Sequence, residues 1–176
     1  MWFLVSLLSI FGSGLGVILH VAYKRRQLLS RSWASILAKL ETVDLEGLRE
    51  IAECYLRPGK DQLRIEPEDM WRTVGGLRGI ERLRHNANIM LELAVYAERW
   101  DSVDGRIVSE MMRRDAARLK KAILTVELAR LSSIGLVRAP FSLQEAISSY
   151  CLMRDRLVGL YQMAHVGLLP QLEAAL

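Results

Sequence analysis

The residues most suited to chemistry form a polar cluster inside an otherwise apolar helical pattern. The cluster comprises Arg84, His85, Asn86 and Asn88, and the last three are the candidate site residues. Glu81 lies four residues before His85 and Glu92 seven residues after it, so these three side chains share one face of a helix. A histidine with a carboxylate one turn away could act as a general base or bind a metal ion.

Two interpretations of this cluster stay open. The first is a solvated helix face with one buried asparagine that fixes the register of the helix, which is the interpretation we favour. The second is an enzyme or ligand-binding bundle with a polar site at His85, Asn86 and Asn88. A site would bury the three side chains in one pocket, whereas a solvated face would leave them in water.

A basic strip marks a later helical pattern. Arg106, Arg113 and Lys120 recur every seven residues, so they lie along one side of a helix. The complete strip is Arg106, Arg113, Arg114, Arg118, Lys120 and Lys121. Glu110 can pair with two of these arginines, which favours an ordinary solvated face. The alternatives are contact with anionic lipid or an acidic partner, and contact with nucleic acid, which the net charge of only +4 disfavours.

Motifs for cofactors and nucleophiles are missing from the sequence. Neither the dinucleotide pattern GxGxxG nor the phosphate-binding pattern GxxxxGK[ST] occurs, and HExxH is absent as well. The two cysteines and three histidines show no metal-ligand spacing. We therefore expect no catalytic, cofactor-binding or metal-binding residue, and an enzyme is the alternative hypothesis only.

The elements that must position these residues are all predicted to be helical, since no segment alternates with the period of a strand. Asp44 is expected to cap a helix that ends near Leu56, and Pro67 to open a short helix that Gly75 and Gly76 end. Two long helices are predicted over 77–100 and 103–131, and the capping box Ser142–Glu145 is expected to open the last one. The fold class is thus all-α, with residues 44–176 forming a bundle of about four main helices.

The apolar positions of the second long helix are expected to face the core of the bundle. They are Ile107, Val108, Met111, Met112, Leu119, Ile123 and Val126. Their spacing is that of an amphipathic helix packed in a bundle.

Residues 1–23 predict a single transmembrane anchor. Residues 2–23 carry no charge, and about twenty residues match a hydrocarbon core of roughly 30 Å. Trp2 and Tyr23 lie at the two ends, where aromatic rings favour the headgroup level. A cleaved signal peptide is the alternative, but no basic residue precedes the run and no small-x-small site follows it. An uncleaved signal anchor is therefore favoured.

The basic flank of the anchor predicts its orientation. Lys24, Arg25, Arg26 and Arg31 follow the run before any acidic residue, so they should stay on the cytoplasmic side, face the anionic leaflet and leave the N-terminus outside. Residues 24–43 are predicted to form a juxtamembrane helix. Its apolar seam, Leu29, Trp33, Ile36, Leu40 and Val43, is either a short coiled coil or a surface that packs on the chain's own domain.

Together these features favour a non-enzymatic, membrane-anchored module that organises protein partners at the inner face. Small residues form a stripe on one side of the anchor, which adds self-association to this hypothesis. The stripe is Ser9, Gly12, Ser13, Gly16 and His20.

The stripe generates the first prediction. Replacing Gly12 and Gly16 with leucine should weaken self-association in a membrane, because the larger side chains prevent the close approach of two helices. Crosslinking of the full chain in native membranes would measure this. Unchanged crosslinking in the double variant would contradict a role for the stripe.

Overall fold

The computed structural model describes residues 32–56, 65–98, 103–131, 139–164 and 166–176. All regular secondary structure in these ranges is helical, which confirms the all-α class. None of the helices in these ranges is both long enough and apolar enough to cross a bilayer. The predicted anchor and most of its flank lie outside the described residues. The residues concerned are Ser9, Gly12, Ser13, Gly16, His20, Lys24, Arg25, Arg26 and Arg31.

The described ranges contain seven α-helices and one 3-10 turn. In chain order they are α1 (Trp33–Leu37), α2 (Leu45–Leu56), α3 (Pro67–Val74), α4 (Gly76–Ala97), α5 (Asp104–Leu131), α6 (Ala139–Ala164), the 3-10 turn Val166–Leu168 and α7 (Leu169–Ala175). The three long helices α4, α5 and α6 all pack on one another, most extensively α5 on α6. Helices α2 and α3 pack on α6, and α1 packs on α4. The chain is therefore a helical bundle around three long helices, with the short helices at its side.

Local chemistry explains where the first helices begin and end. The Asp44 carboxylate accepts a hydrogen bond of 3.2 Å from the Gly47 N–H, which confirms the predicted N-cap of α2. Pro67 starts α3, as predicted from its fixed φ. Gly75 has φ of 84°, a left-handed conformation that ends α3 and starts α4 in a new direction.

Two apolar positions of α5 do not face the core. Ile107 is 55 % exposed and Met111 is 42 % exposed, so the prediction that they pack inside the bundle was wrong. The buried face of α5 instead passes through Ser109 and Asp115, in line with Leu119. The buried face of α5 combines alanine and polar residues with large side chains such as Met112 and Ile123, and Ile107 and Met111 lie outside it.

The capping box was also a wrong prediction for the start of the last helix. Helix α6 begins at Ala139, so Ser142 lies inside its first turn. Pro140 is the second residue of the helix, where a missing N–H costs nothing. Gln144, which lies between the two members of the box, is buried and its amide donates to the Ile51 carbonyl of α2 at 3.4 Å.

The predicted juxtamembrane helix is present only over Trp33–Leu37 among the described residues. Residues 40–44 have no helical structure. Trp33 and Ile36 are buried in the core of the bundle, so the seam packs on the chain's own domain over this part. The prediction of one continuous helix was wrong because hydrogen bonds from Asn86 of α4 to Glu41 hold residues 40–44 in a non-helical conformation.

The tight turn between α3 and α4 generates a stability prediction. A methyl group at Gly79 would collide with the Val74 carbonyl oxygen, which is backbone and cannot move aside. Gly79→Ala should lower the free energy of unfolding by about 1–3 kcal/mol. Gly159 in α6 is the matched control, because no atom lies within 4 Å of its added methyl.

Gly159→Ala should raise the free energy of unfolding by roughly 0.5–1 kcal/mol, since alanine restricts the unfolded chain. Denaturant unfolding of the full chain in detergent, followed by circular dichroism, measures both variants. Equal effects of the two substitutions would show that the turn does not depend on close packing at Gly79.

Candidate functional site

Asn86 in the middle of α4 holds the segment before α2 on the bundle. Its side chain is 1 % exposed. Its Oδ1 accepts from the Glu41 N–H at 2.9 Å, and its Nδ2 donates to the Glu41 carbonyl at 2.7 Å. The second Nδ2 hydrogen donates to the Tyr150 hydroxyl of α6 at 3.2 Å. One amide therefore satisfies both backbone groups of Glu41 and links three parts of the chain.

Neighbouring side chains of α4 add to this attachment. His85 Nε2 lies 3.0 Å from the Lys39 carbonyl, and since a carbonyl only accepts, this nitrogen carries the hydrogen. The Arg82 guanidinium lies 3.8 Å from the Glu41 carboxylate, as a half-exposed ion pair. The polar residues of α4 thus bind Lys39 and Glu41 in the segment 32–44, which we call the strap.

The strap begins with a buried aromatic contact. The Trp33 indole N–H donates to the Tyr161 hydroxyl at 2.9 Å, and that hydroxyl donates to the Leu93 carbonyl at 3.1 Å. The two rings are 6.2 Å apart. Burial raises the pKa of Tyr161, against the smaller opposing effect of the Trp33 hydrogen bond, so the phenol stays protonated and donates.

The strap therefore joins the bundle at a defined end. Trp33 lies beside Leu93 and Tyr161, which belong to the last turns of α4 and α6. The first half of α5 lies at the same end, because Arg113 is 3.7 Å from Glu98 at the C-terminus of α4.

The polar cluster predicted as a site does not form one pocket. Asn86 is buried, but His85 and Asn88 are exposed. The amide of Asn86 is bonded to Glu41 and Tyr150, and His85 contacts the strap at the surface. This geometry gives no support to an enzyme or ligand-binding site at these residues, and it matches a buried asparagine that fixes register.

The predicted basic strip lies on the exposed half of α5. Its six residues are Arg106, Arg113, Arg114, Arg118, Lys120 and Lys121, and all are exposed. Glu110 pairs with Arg113 at 3.4 Å and with Arg114 at 3.5 Å. Arg118 lies 3.8 Å from Asp115. The Asp115 carboxylate is itself buried and forms an ion pair with Arg156 of α6, which fixes the antiparallel register of these two helices.

Exposed apolar side chains share this half of α5, although Ile107 and Met111 were predicted to face the core and the others were not predicted as a surface feature. The described residues contain eight large exposed apolar side chains, of which five lie on α5 or directly before it. The five are Val103, Ile107, Met111, Leu124 and Leu128. A helical projection could have found the last two, since Leu124 follows Lys120 by four residues and so shares its face.

A shallow cleft lies between α2 and α6. It measures about 360 Å³ and is lined by Leu45, Glu46, Arg49, Cys151, Arg154 and Asp155. Burial raises the pKa of the Cys151 thiol to about 11, so the thiol is not activated. Asp155 lies 3.8 Å from Arg49 and 3.5 Å from Arg154, which neutralises the charge of the cleft. No cluster of three metal-ligating side chains occurs within the described ranges.

The Asn86 attachment generates a prediction with a matched control two residues away. Asn86→Ala leaves the Glu41 backbone and the Tyr150 hydroxyl without these partners, so it should lower stability by about 1–3 kcal/mol. The exposed Asn88→Ala should change stability by less than about 0.5 kcal/mol. Limited trypsin digestion of the full chain should cleave faster after Lys39 in the Asn86 variant only. Equal cleavage of both variants would contradict the role of Asn86.

Comparisons with known proteins leave the site to be interpreted from its own geometry. No protein-family model matches the chain, and no curated protein or solved structure matches it significantly.

Proposed function

We propose that the chain is a membrane-anchored helical module that organises protein partners at the inner, cytoplasmic face of a membrane and associates with itself through its anchor. Residues 1–23 are the anchor, and the bundle is the part that partners meet. The proposal assigns no catalytic residue and no cofactor to the chain.

The observation that carries this proposal is the strap. Trp33 and Ile36 are buried in the bundle, and Asn86 binds Glu41 through both backbone groups. The buried Trp33 lies only ten residues after Tyr23, the last residue of the uncharged run. Ten residues span at most about 36 Å. A strap that is part of the core therefore suits a domain held close to a bilayer in a limited range of orientations.

A flexible tether would serve a different purpose. A long polar linker allows a domain to search a large volume, whereas a docked strap limits the faces that partners can reach. The exposed ends of α2 and α3 and the outer half of α4 carry mixed charges that suit reversible protein contacts. This arrangement supports an organising module more than a tethered enzyme.

The proposal is tested first at the anchor. Replacing Ile10 and Leu15 with arginine places two charges inside the uncharged run, each of which costs about 2.5–3.5 kcal/mol near the centre of a membrane helix. The full chain should resist extraction from membranes by alkaline carbonate, and the arginine variant should be extracted. The conservative pair Ile10→Val and Leu15→Val controls for the substitution and should remain in the membrane. Extraction of the unchanged chain would contradict the proposal.

The organising role is tested by crosslinking in native membranes. The unchanged chain and Asn88→Ala should give the same crosslinked species, whereas Asn86→Ala should lose those that depend on a docked strap. A chain that crosslinks to nothing, itself included, would contradict the organising role even if the anchor holds.

A further inference from the structure

The outer half of α5 combines features that point to a lipid surface. The helix has 28 residues and is therefore roughly 42 Å long. Val103, Ile107 and Met111 are exposed at its start, and Leu124 and Leu128 are each 54 % exposed near its end. Exposed apolar side chains that gather on one surface often mark a site that contacts another protein or a membrane.

Helix α6 carries two further exposed apolar side chains, one near each of its ends. The ion pair between Asp115 and Arg156 sets the antiparallel register of α5 and α6. This register brings the end of α6 that carries Met163 to the start of α5, and the end that carries Phe141 to the end of α5. Met163 is 70 % exposed and Phe141 is 45 % exposed. Seven of the eight large exposed apolar residues in the described ranges therefore belong to this one hairpin.

The charges between the two apolar ends are predominantly positive. All six residues of the basic strip are exposed, against only two exposed acids on α5, Asp104 and Glu110. Arg113, Arg114 and Arg118 have acidic partners within the bundle. Lys120 and Lys121 form no ion pair with any described residue, so their ammonium groups are available to a partner outside the bundle.

These two lysines flank the exposed leucines. Leu124 lies four residues after Lys120 and three after Lys121, so the three side chains are neighbours on the helix surface. Leu128 lies one further turn along. In a helix that lies at a membrane surface, apolar side chains enter the acyl boundary while flexible lysines reach the phosphates beside them.

We propose that the exposed face of α5 lies on the anionic surface of a lipid bilayer, with Leu124 and Leu128 entering the acyl boundary and Lys120 and Lys121 at the phosphates. The inference rests on the proposed anchoring, which holds this face near a bilayer and makes the contact effectively intramolecular. It also assigns the basic strip to lipid and leaves the other faces to protein partners.

Charge favours this occupant over a second copy of the chain. Two α5 faces placed against each other would bring their basic middle sections together, which opposes association. An anionic leaflet is complementary to the basic middle section of the helix, and each lysine or arginine near it contributes roughly 1 kcal/mol, or about fivefold in binding.

The test uses the full chain reconstituted in vesicles of phosphatidylcholine alone or with phosphatidylserine. Hydroxyl-radical footprinting oxidises exposed side chains, and mass spectrometry then locates the products. Oxidation of Leu124, Leu128 and Met111 should fall several-fold in the anionic vesicles relative to the neutral ones. Leu77 on α4 is an internal control, because it is 45 % exposed and outside the face. The protection should weaken as salt is raised.

Charge reversal supplies the decisive variants. Lys120→Glu with Lys121→Glu should abolish the protection, because two lysines account for a bias of roughly 30-fold toward the leaflet. Arg72→Glu with Arg78→Glu makes the same change of charge at exposed positions of α3 and α4 and should leave the protection intact. Circular dichroism confirms that both variants are folded.

Three outcomes would overturn the inference. Equal oxidation in neutral and anionic vesicles would exclude the lipid contact while leaving the anchoring intact. Protection in detergent that grows with protein concentration would assign the face to a second copy of the chain. A chain that fails to float with either kind of vesicle would overturn the anchoring and this inference together.

Discussion

The bundle depends on one requirement. Where the strap is not helical and lies beside the core, its backbone N–H and C=O groups need hydrogen-bond partners. The Asn86 amide meets this requirement at Glu41 and also reaches Tyr150 of α6. Because a buried polar group without a partner is costly, Asn86 fixes the path of residues 38–44. This path in turn places Trp33 against Tyr161 and sets the end at which the chain joins the bundle.

The packing of α5 on α6 has an equally specific consequence. Asp115 and Arg156 form an ion pair at the centre of this pair of helices, and the buried line of α5 carries alanine and serine beside larger residues such as Met112 and Leu119. The bundle leaves the apolar side chains on the opposite side of α5 exposed, namely Ile107, Met111, Leu124 and Leu128. The same rotation of α5 that completes the core therefore creates the mixed basic and apolar face. The packing of the three long helices therefore determines both the position of the strap and the exposed face of α5.

Much of the secondary structure could be predicted from local patterns. The cap at Asp44, the start at Pro67 and the break at Gly75 depend on the backbone preferences of single residues, and all three were predicted correctly. The capping box at Ser142 failed because the helix already begins at Ala139, three residues earlier, where Pro140 suits the first turn. The prediction of one continuous helix from Trp33 to Val43 was wrong because Asn86 on α4 binds the backbone of Glu41, and those backbone groups are then not available to a helix. Asn86 lies 45 residues from Glu41 in the sequence. Such long-range hydrogen bonds leave no periodic signal in a sequence.

The sequence by itself determined that the described chain is helical and that basic residues form a strip along one side of a long helix. It also determined that an uncharged run of about twenty residues precedes the basic flank. These properties follow from residue types and short spacings, which act locally. Only the tertiary structure decided that Asn86 is buried while His85 and Asn88 are exposed, and that Ile107, Leu124 and Leu128 face outward beside the lysines. The physical reason is that the rotation of each helix is set by what its neighbours can accommodate. A helical pattern that offers two apolar sides does not specify which of them the neighbours will cover.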